Sequence, residues 1–115
     1  MVAIHEQLLV EFGGAAGIRD EGLLESALMR PRHLFTYAAP SLQQLAASYA
    51  YGLVKNHPFY DGNKRIAFMI AILFLEVNGR RVIMEEADAV VQTLALAAGE
   101  WSEEAYARWL AANLA

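Results

Sequence analysis

The sequence predicts an all-α protein: one compact domain over residues 1–115, a bundle of about six helices with a site at the N-terminus of a central buried helix. Three observations carry that expectation. Apolar residues return at helical spacing in almost every segment. Residues 66–75 form an unbroken run of ten apolar side chains, enough for a helix buried on most sides and too short to span a bilayer. A chain of 115 residues that is 57% hydrophobic fills a single core and leaves no second one to build.

Each element follows from local signals. Residues 2–12 set Ile4, Leu8, Leu9 and Phe12 on one helical stripe that ends at Gly13-Gly14, and Gly17 turns the chain. Asp20 is placed to cap a short helix through Met29, with Leu23, Leu24, Ala27 and Leu28 facing inward. Pro31 is expected to stop it, since proline has no N–H to give. The stretch 31–40, framed by two prolines, then reads as a loop. Ser41 or Leu42 opens a helix to about Asn56, with Leu45, Ala46, Tyr49, Leu53 and Val54 available to the core. Asn63 is expected to cap the apolar helix, which closes at Asn78-Gly79. Residues 80–84 are β-branched enough for a brief extended piece, with no identifiable partner strand. Residues 85–98 form an alanine- and leucine-rich helix before Gly99. Ser102 caps a last helix, and Trp101 with Tyr106 has the spacing of a hydrophobic staple. There is no internal repeat and no low-complexity linker.

Composition excludes several classes. Zero cysteines rule out disulfides and thiolate zinc sites and fit a reducing cytoplasm. The first fifteen residues contain Glu6 and Glu11 and lack a basic start with an apolar run, so no secretory signal is visible and a cytoplasmic protein with no membrane segment is expected. A net charge of −4 and a pI near 5.3 argue against a general nucleic-acid binder. The charge is uneven. Lys55, Lys64 and Arg65 fall near His57, while Glu85, Glu86, Asp88, Glu100, Glu103 and Glu104 make the last third acidic. A positive pocket in an acidic protein suits a small anionic ligand.

The candidate site is His57-Pro58-Phe59-Tyr60-Asp61-Gly62-Asn63-Lys64-Arg65. If Asn63 caps the apolar helix, the backbone N–H groups of Lys64, Arg65 and Ile66 have no intrahelical partner and form an anion site. A helix N-terminus carries about half a positive charge and ordinarily attracts Asp or Glu. Here two cations sit on it, a local rule broken with no structural gain, which is expected at functional sites. A polyphosphate relieves that repulsion, with Arg65 offering a fork of donors and Lys64 a compact charge. Asp61 is a hard oxygen ligand suited to Mg²⁺ held together with substrate phosphates. His57 is placed to take a proton from a hydroxyl attacking the bound phosphate. Gly62 permits a tight turn, and Phe59 is suited to pin the loop to the core.

Taken singly, these residues have ordinary explanations. His before Pro is a turn or core residue, Asp-Gly a turn pair, and Lys64 with Arg65 a solvated face. Their joint occurrence at helix-entry spacing points to a site. Other candidates are assigned no chemistry: Arg19-Asp20 looks like an upstream family motif but reads equally well as a capping aspartate with a surface arginine, and His5 reads as structural. Arg30, Arg32 and His33 read as solvated loop charge able to touch a protein substrate, and Trp101, Tyr106 and Trp109 as core or partner-facing surface.

The nine-residue string resembles the signature of the Fic/Doc superfamily, His-Pro-Phe-x-Asp/Glu-Gly-Asn-Gly/Lys-Arg, at every fixed position. Lys64 resembles the Doc branch; the adenylylating Fic branch usually has glycine there. Residues 11–31 look like the opening of Doc-like toxins, and with Asn78-Gly79 the likeness covers most of residues 4–84. The resemblance implies a toxin that uses ATP to phosphorylate a threonine of elongation factor Tu, halting translation, and that a Phd-like antitoxin neutralises. By position it makes His57 the base, Asp61 the magnesium ligand, and Gly62, Asn63, Lys64 and Arg65 the phosphate-binding set. A Fic-type adenylyltransferase and a non-catalytic antitoxin-binding module are the alternatives. Self-restrained Fic proteins are similar to one another in a Ser/Thr-x-x-x-Glu-Gly/Asn segment. The Glu21-Gly22 pair here has Gly17 at the hydroxyl position, so restraint is expected from another chain, through a segment that folds into an apolar groove.

Overall fold

The computed structural model describes residues 19–37, 39–57 and 63–115. Among them are five helices: α1 (Glu21–Tyr37), α2 (Leu42–Asn56), α3 (Asn63–Val77), α4 (Glu86–Ala97) and α5 (Glu103–Ala112). The expected helix over 2–12, with His5, lies outside the described residues. None of the described helices is long and apolar enough to cross a membrane.

α2 is the hub. It packs against all four other described helices, and Leu45 through Ala50 and Gly52 through Val54 are buried, so almost every face of it is enclosed. α3 is buried as the apolar run predicts, through Ile66, Ala67, Ile70, Ala71, Phe74 and Leu75, and packs on α2 and α4. Tyr49 of α2 and Phe74 of α3 meet as tilted rings 5.2 Å apart. Close approach of α1 to α2 depends on Gly52. A methyl built there would stand 3.2 Å from the Cα, Cβ and carbonyl oxygen of Ala27, tighter than ordinary carbon contacts.

Local capping explains half of the helix ends. Asp20 Oδ1 accepts from the Leu23 N–H at 3.0 Å and starts α1. A complete capping box opens α2: Ser41 Oγ accepts from the Gln44 N–H, and Gln44 Oε1 accepts from the Ser41 N–H. Ser102 Oγ likewise accepts from the Ala105 N–H at the start of α5. α3 and α4 end in the same motif. Gly79 and Gly99 take the left-handed conformation at φ +82 and +81, and the next N–H returns to a carbonyl in the last turn, Arg80 to Leu75 and Glu100 to Ala95, each at 2.9 Å.

One expectation is corrected and one left open is completed. Pro31 does not stop α1; the helix runs through it to Tyr37, so the supposed loop over 31–40 is helical for most of its length. The missing N–H and ring clash cost about 3 kcal/mol or more inside a helix, but Pro31 is fully buried, and its neighbour Arg30 is anchored on three sides. Arg30 donates to Ser48 Oγ at 3.0 Å, pairs with Glu103 at 2.6 Å and lies over the Tyr51 ring. Tertiary contact therefore outweighs the local penalty. Residues 80–84, for which no partner was identifiable, pair with the C-terminus. Val82 bridges Leu114 antiparallel, the Ile83 N–H donates to Asn113 O, and the Ala115 N–H donates to Arg81 O, each at 2.8 Å.

The aromatic residues of the last third resolve toward the core. Tyr106 is fully buried, its hydroxyl 2.8 Å from Thr93 Oγ1, and burial pushes its phenol up to about 12 against the lowering effect of that hydrogen bond. Trp109 meets Tyr106 as tilted rings 5.1 Å apart and donates to Asp88 Oδ2 at 3.0 Å. Trp101 packs half-buried against the same cluster.

Candidate functional site

The end of α2 and the start of α3 bring four of the expected residues to one place. His57 directly follows α2, and Asn63, Lys64 and Arg65 open α3. Asp61 and Gly62, the expected magnesium ligand and turn, lie outside the described residues, as does Phe59. Asn63 is the first helical residue of α3 rather than the cap before it, a shift of one position. That shift leaves Lys64 and Arg65 in the first turn, where backbone N–H groups have no intrahelical acceptor.

Exposure separates the roles. His57, Lys64 and Arg65 are exposed, whereas Asn63 is 6% exposed and belongs to the packed interior. The helix tip is thus open to solvent while the residue behind it is held. Among the described residues neither Lys64 nor Arg65 makes an ion pair. Two cations on the positive end of a helix dipole, with no carboxylate paired to them among the described residues, concentrate positive charge at the start of α3.

Lys55, close in sequence, does not join them. It extends to the Ala97 carbonyl at the end of α4, 3.5 Å away, and lies 5.6 Å from the Tyr51 ring centre.

His57 has an unusual backbone. Its φ of 48 and ψ of 55 place it in the left-handed region, and it is the one non-glycine residue with positive φ among the described residues. A β-carbon in that region costs about 1–2 kcal/mol, and such strain persists only where surrounding structure enforces it. The enforcing contacts are visible. The His57 N–H donates to Leu53 O at 3.3 Å. Asn56 Nδ2 donates to Leu23 O at 2.9 Å, tying the last residue of α2 to α1. Arg19 Nε donates to His57 O at 2.9 Å and Nη2 to Asn56 O at 3.3 Å. Sequence reasoning singled out Arg19-Asp20 but assigned Arg19 no chemistry, because its partners lie 37 and 38 residues away.

On its other side the imidazole meets α3, with Asn63 Nδ2 3.4 Å from His57 Nδ1. With the amide NH₂ facing the ring, Nδ1 accepts and the proton sits on Nε2. With the amide turned about its last torsion, Oδ1 accepts from Nδ1–H and the Nε2 lone pair is free to take a proton from a substrate. General-base chemistry at Nε2 calls for the second arrangement.

Comparison with known proteins gives this geometry a family. Residues 1–75 match the model described as Fic/DOC family. The chain belongs to the Fic/DOC family. This Fic/DOC chain is 31% identical over 103 residues to "Protein kinase doc" of Escherichia phage P1, a match covering 89% of the chain and 81% of that protein. It is also 42% identical over 72 residues to "Toxin Doc" of Mycolicibacterium smegmatis, covering 61% of the chain and 55% of that relative. In that second match the chain spans about half the relative's length. The family match takes in α1, α2 and most of α3, together with the 57–65 segment that joins them.

Proposed function

We propose that the protein is the toxin of a toxin–antitoxin pair and transfers the γ-phosphate of ATP to a protein hydroxyl. The observation that carries this is that His57, in contact with Asn63 at the start of α3, is exposed along with Lys64 and Arg65 of the first turn, in a chain aligned over most of its length with a protein kinase doc. A threonine of elongation factor Tu is the acceptor the family resemblance implies, with block of translation as the consequence and a Phd-like antitoxin as the neutralising partner.

Donor chemistry fits a nucleotide tail. Arg65 grips phosphate oxygens in a fork, Lys64 adds a point charge, and the first-turn N–H groups of α3 supply further donors. Asn63 orients the His57 ring, and Gly62 lets the backbone approach the phosphates. Asp61 is the carboxylate that would hold Mg²⁺, which when bound offsets charge on the phosphate oxygens. His57 Nε2 takes the proton of the attacking hydroxyl as its oxygen bonds to the γ-phosphorus. The bond from phosphorus to the β,γ-bridging oxygen breaks, and ADP leaves carrying the electron pair.

Lys64 stands where an adenylylating relative would have glycine, which favours phosphate over nucleotide transfer. The test is to incubate the protein with elongation factor Tu and ATP labelled at either the α- or the γ-phosphate. Label moving from the γ-position alone is expected. Label moving only from the α-position overturns the kinase reading in favour of adenylylation. No transfer from either, beside a working control, leaves a binding module.

A further inference from the structure

Arg19 stands one residue ahead of the Asp20 cap of α1, yet its guanidinium bonds to the far end of α2. We propose that Arg19 is a positioning residue that sets the backbone of His57, and through it the place of the imidazole.

The carbonyls of Asn56 and His57 belong to the two peptide planes that flank the His57 Cα. A planar peptide has no internal freedom, so holding both oxygens fixes both dihedrals of the residue between them. Arg19 holds both, Nε at 2.9 Å from His57 O and Nη2 at 3.3 Å from Asn56 O. The fork of a guanidinium matches this task; an ammonium, as a point donor, grips one oxygen well. The last carbonyls of a helix lack intrahelical partners and carry the negative end of its dipole, so a cation there is stabilised as well as bonded.

The clamp acts on a residue that resists its conformation. Left-handed backbone is unfavourable for any residue with a β-carbon, so without external bonds His57 would relax toward ordinary φ and swing its ring away from Asn63. Close packing of Ala27 on Gly52 and the bond from Asn56 Nδ2 to Leu23 O seat α1 against α2, and this seat brings Arg19 within reach. Arg19 touches no reacting atom in this scheme.

The inference rests on the reading of His57 as the base, and the experiment separates the two. Arg19→Ala and Arg19→Lys are compared with the parent by circular dichroism, by steady-state phosphate transfer, and by nuclear magnetic resonance of His57. In the last, the ¹³Cα shift and the coupling between the amide and α protons report φ, and the ring ¹⁵N shifts report the contact to Asn63. Expected for Arg19→Ala are an intact fold, kcat lower by roughly 30- to 100-fold with KM for ATP within about twofold, and His57 signals that leave the left-handed range. Arg19→Lys shows a smaller change in the same direction, and added methylguanidinium restores part of the Arg19→Ala loss. An Arg19→Ala protein with unchanged His57 signals, or with kcat close to the parent, overturns the proposal. If Arg19→Ala does not fold, Arg19→Lys carries the test: signals identical to the parent overturn it. If the parent itself transfers no phosphate, the kinase reading fails, and the resonance comparison still decides the clamp.

Discussion

The ends of α3 and α4 pose the same problem as the end of α2, and they are closed with different residues. Gly79 and Gly99 turn left-handed at no steric cost, with nothing within 4 Å of where a β-carbon would stand. α2 turns left-handed at His57, which bears a ring and pays the conformational penalty. The glycine ends are closed by bonds within five residues of themselves, Arg80 to Leu75 and Glu100 to Ala95. The histidine end depends on Arg19 and Asn63, contributed by the start of α1 and the start of α3. Two helices therefore stop for local reasons, and one stops where the rest of the fold holds it. A strained residue kept by distant partners marks a place selected for its side chain rather than for stability.

The largest expected effect tests that distinction. His57→Ala should lower phosphate transfer by about 100-fold or more, read with γ-labelled ATP, while Gly99→Ala leaves transfer at the parental rate. Equal losses in the two would erase the contrast between a functional and a structural end. Next comes Gly52→Leu, which overpacks the α1–α2 contact against Ala27 and should cost about 2–3 kcal/mol in denaturant unfolding. Because it also lifts Arg19 from the carbonyls of α2, it should slow transfer in the fraction that remains folded.

Smaller effects follow. Gly79→Ala and Gly99→Ala each force a β-carbon into left-handed space and should cost about 1–2 kcal/mol. At position 57 the same order holds: a His57→Gly protein should be more stable than His57→Ala by about 1 kcal/mol, and equal stabilities would show that the left-handed turn carries no strain. The last prediction concerns alkaline pH, at the α4–α5 contact. Burial raises the Tyr106 phenol from 10.0 to about 12, and the neutral phenol is the form that the fold favours. Its contribution is full below pH 10 and is lost as pH rises toward 12. Tyr106→Phe, which leaves Thr93 Oγ1 without that partner, should flatten this part of the stability profile and cost about 1 kcal/mol at neutral pH.

Local signals served well where the governing bonds are themselves local. Asp20, Ser41 and Ser102 cap helices and Gly79 and Gly99 close them as expected, since each such bond spans only a few residues. The apolar run in α3 announced its own burial. Local rules failed at Pro31, where enclosure and the anchoring of Arg30 overcome a helix breaker. They were silent on the partner of residues 80–84, which is the end of the chain.

The candidate site divides in the same way. Cations at Lys64 and Arg65 on a helix start are legible in the sequence, because an α-helix places them on its positive end whatever surrounds it. Their exposure, the burial of Asn63, the left-handed turn at His57 and the reach of Arg19 across 38 residues were decided only when α1 and α3 packed on α2. Those features come from contacts between segments remote in the chain, whose free energy exists only after the helices have met.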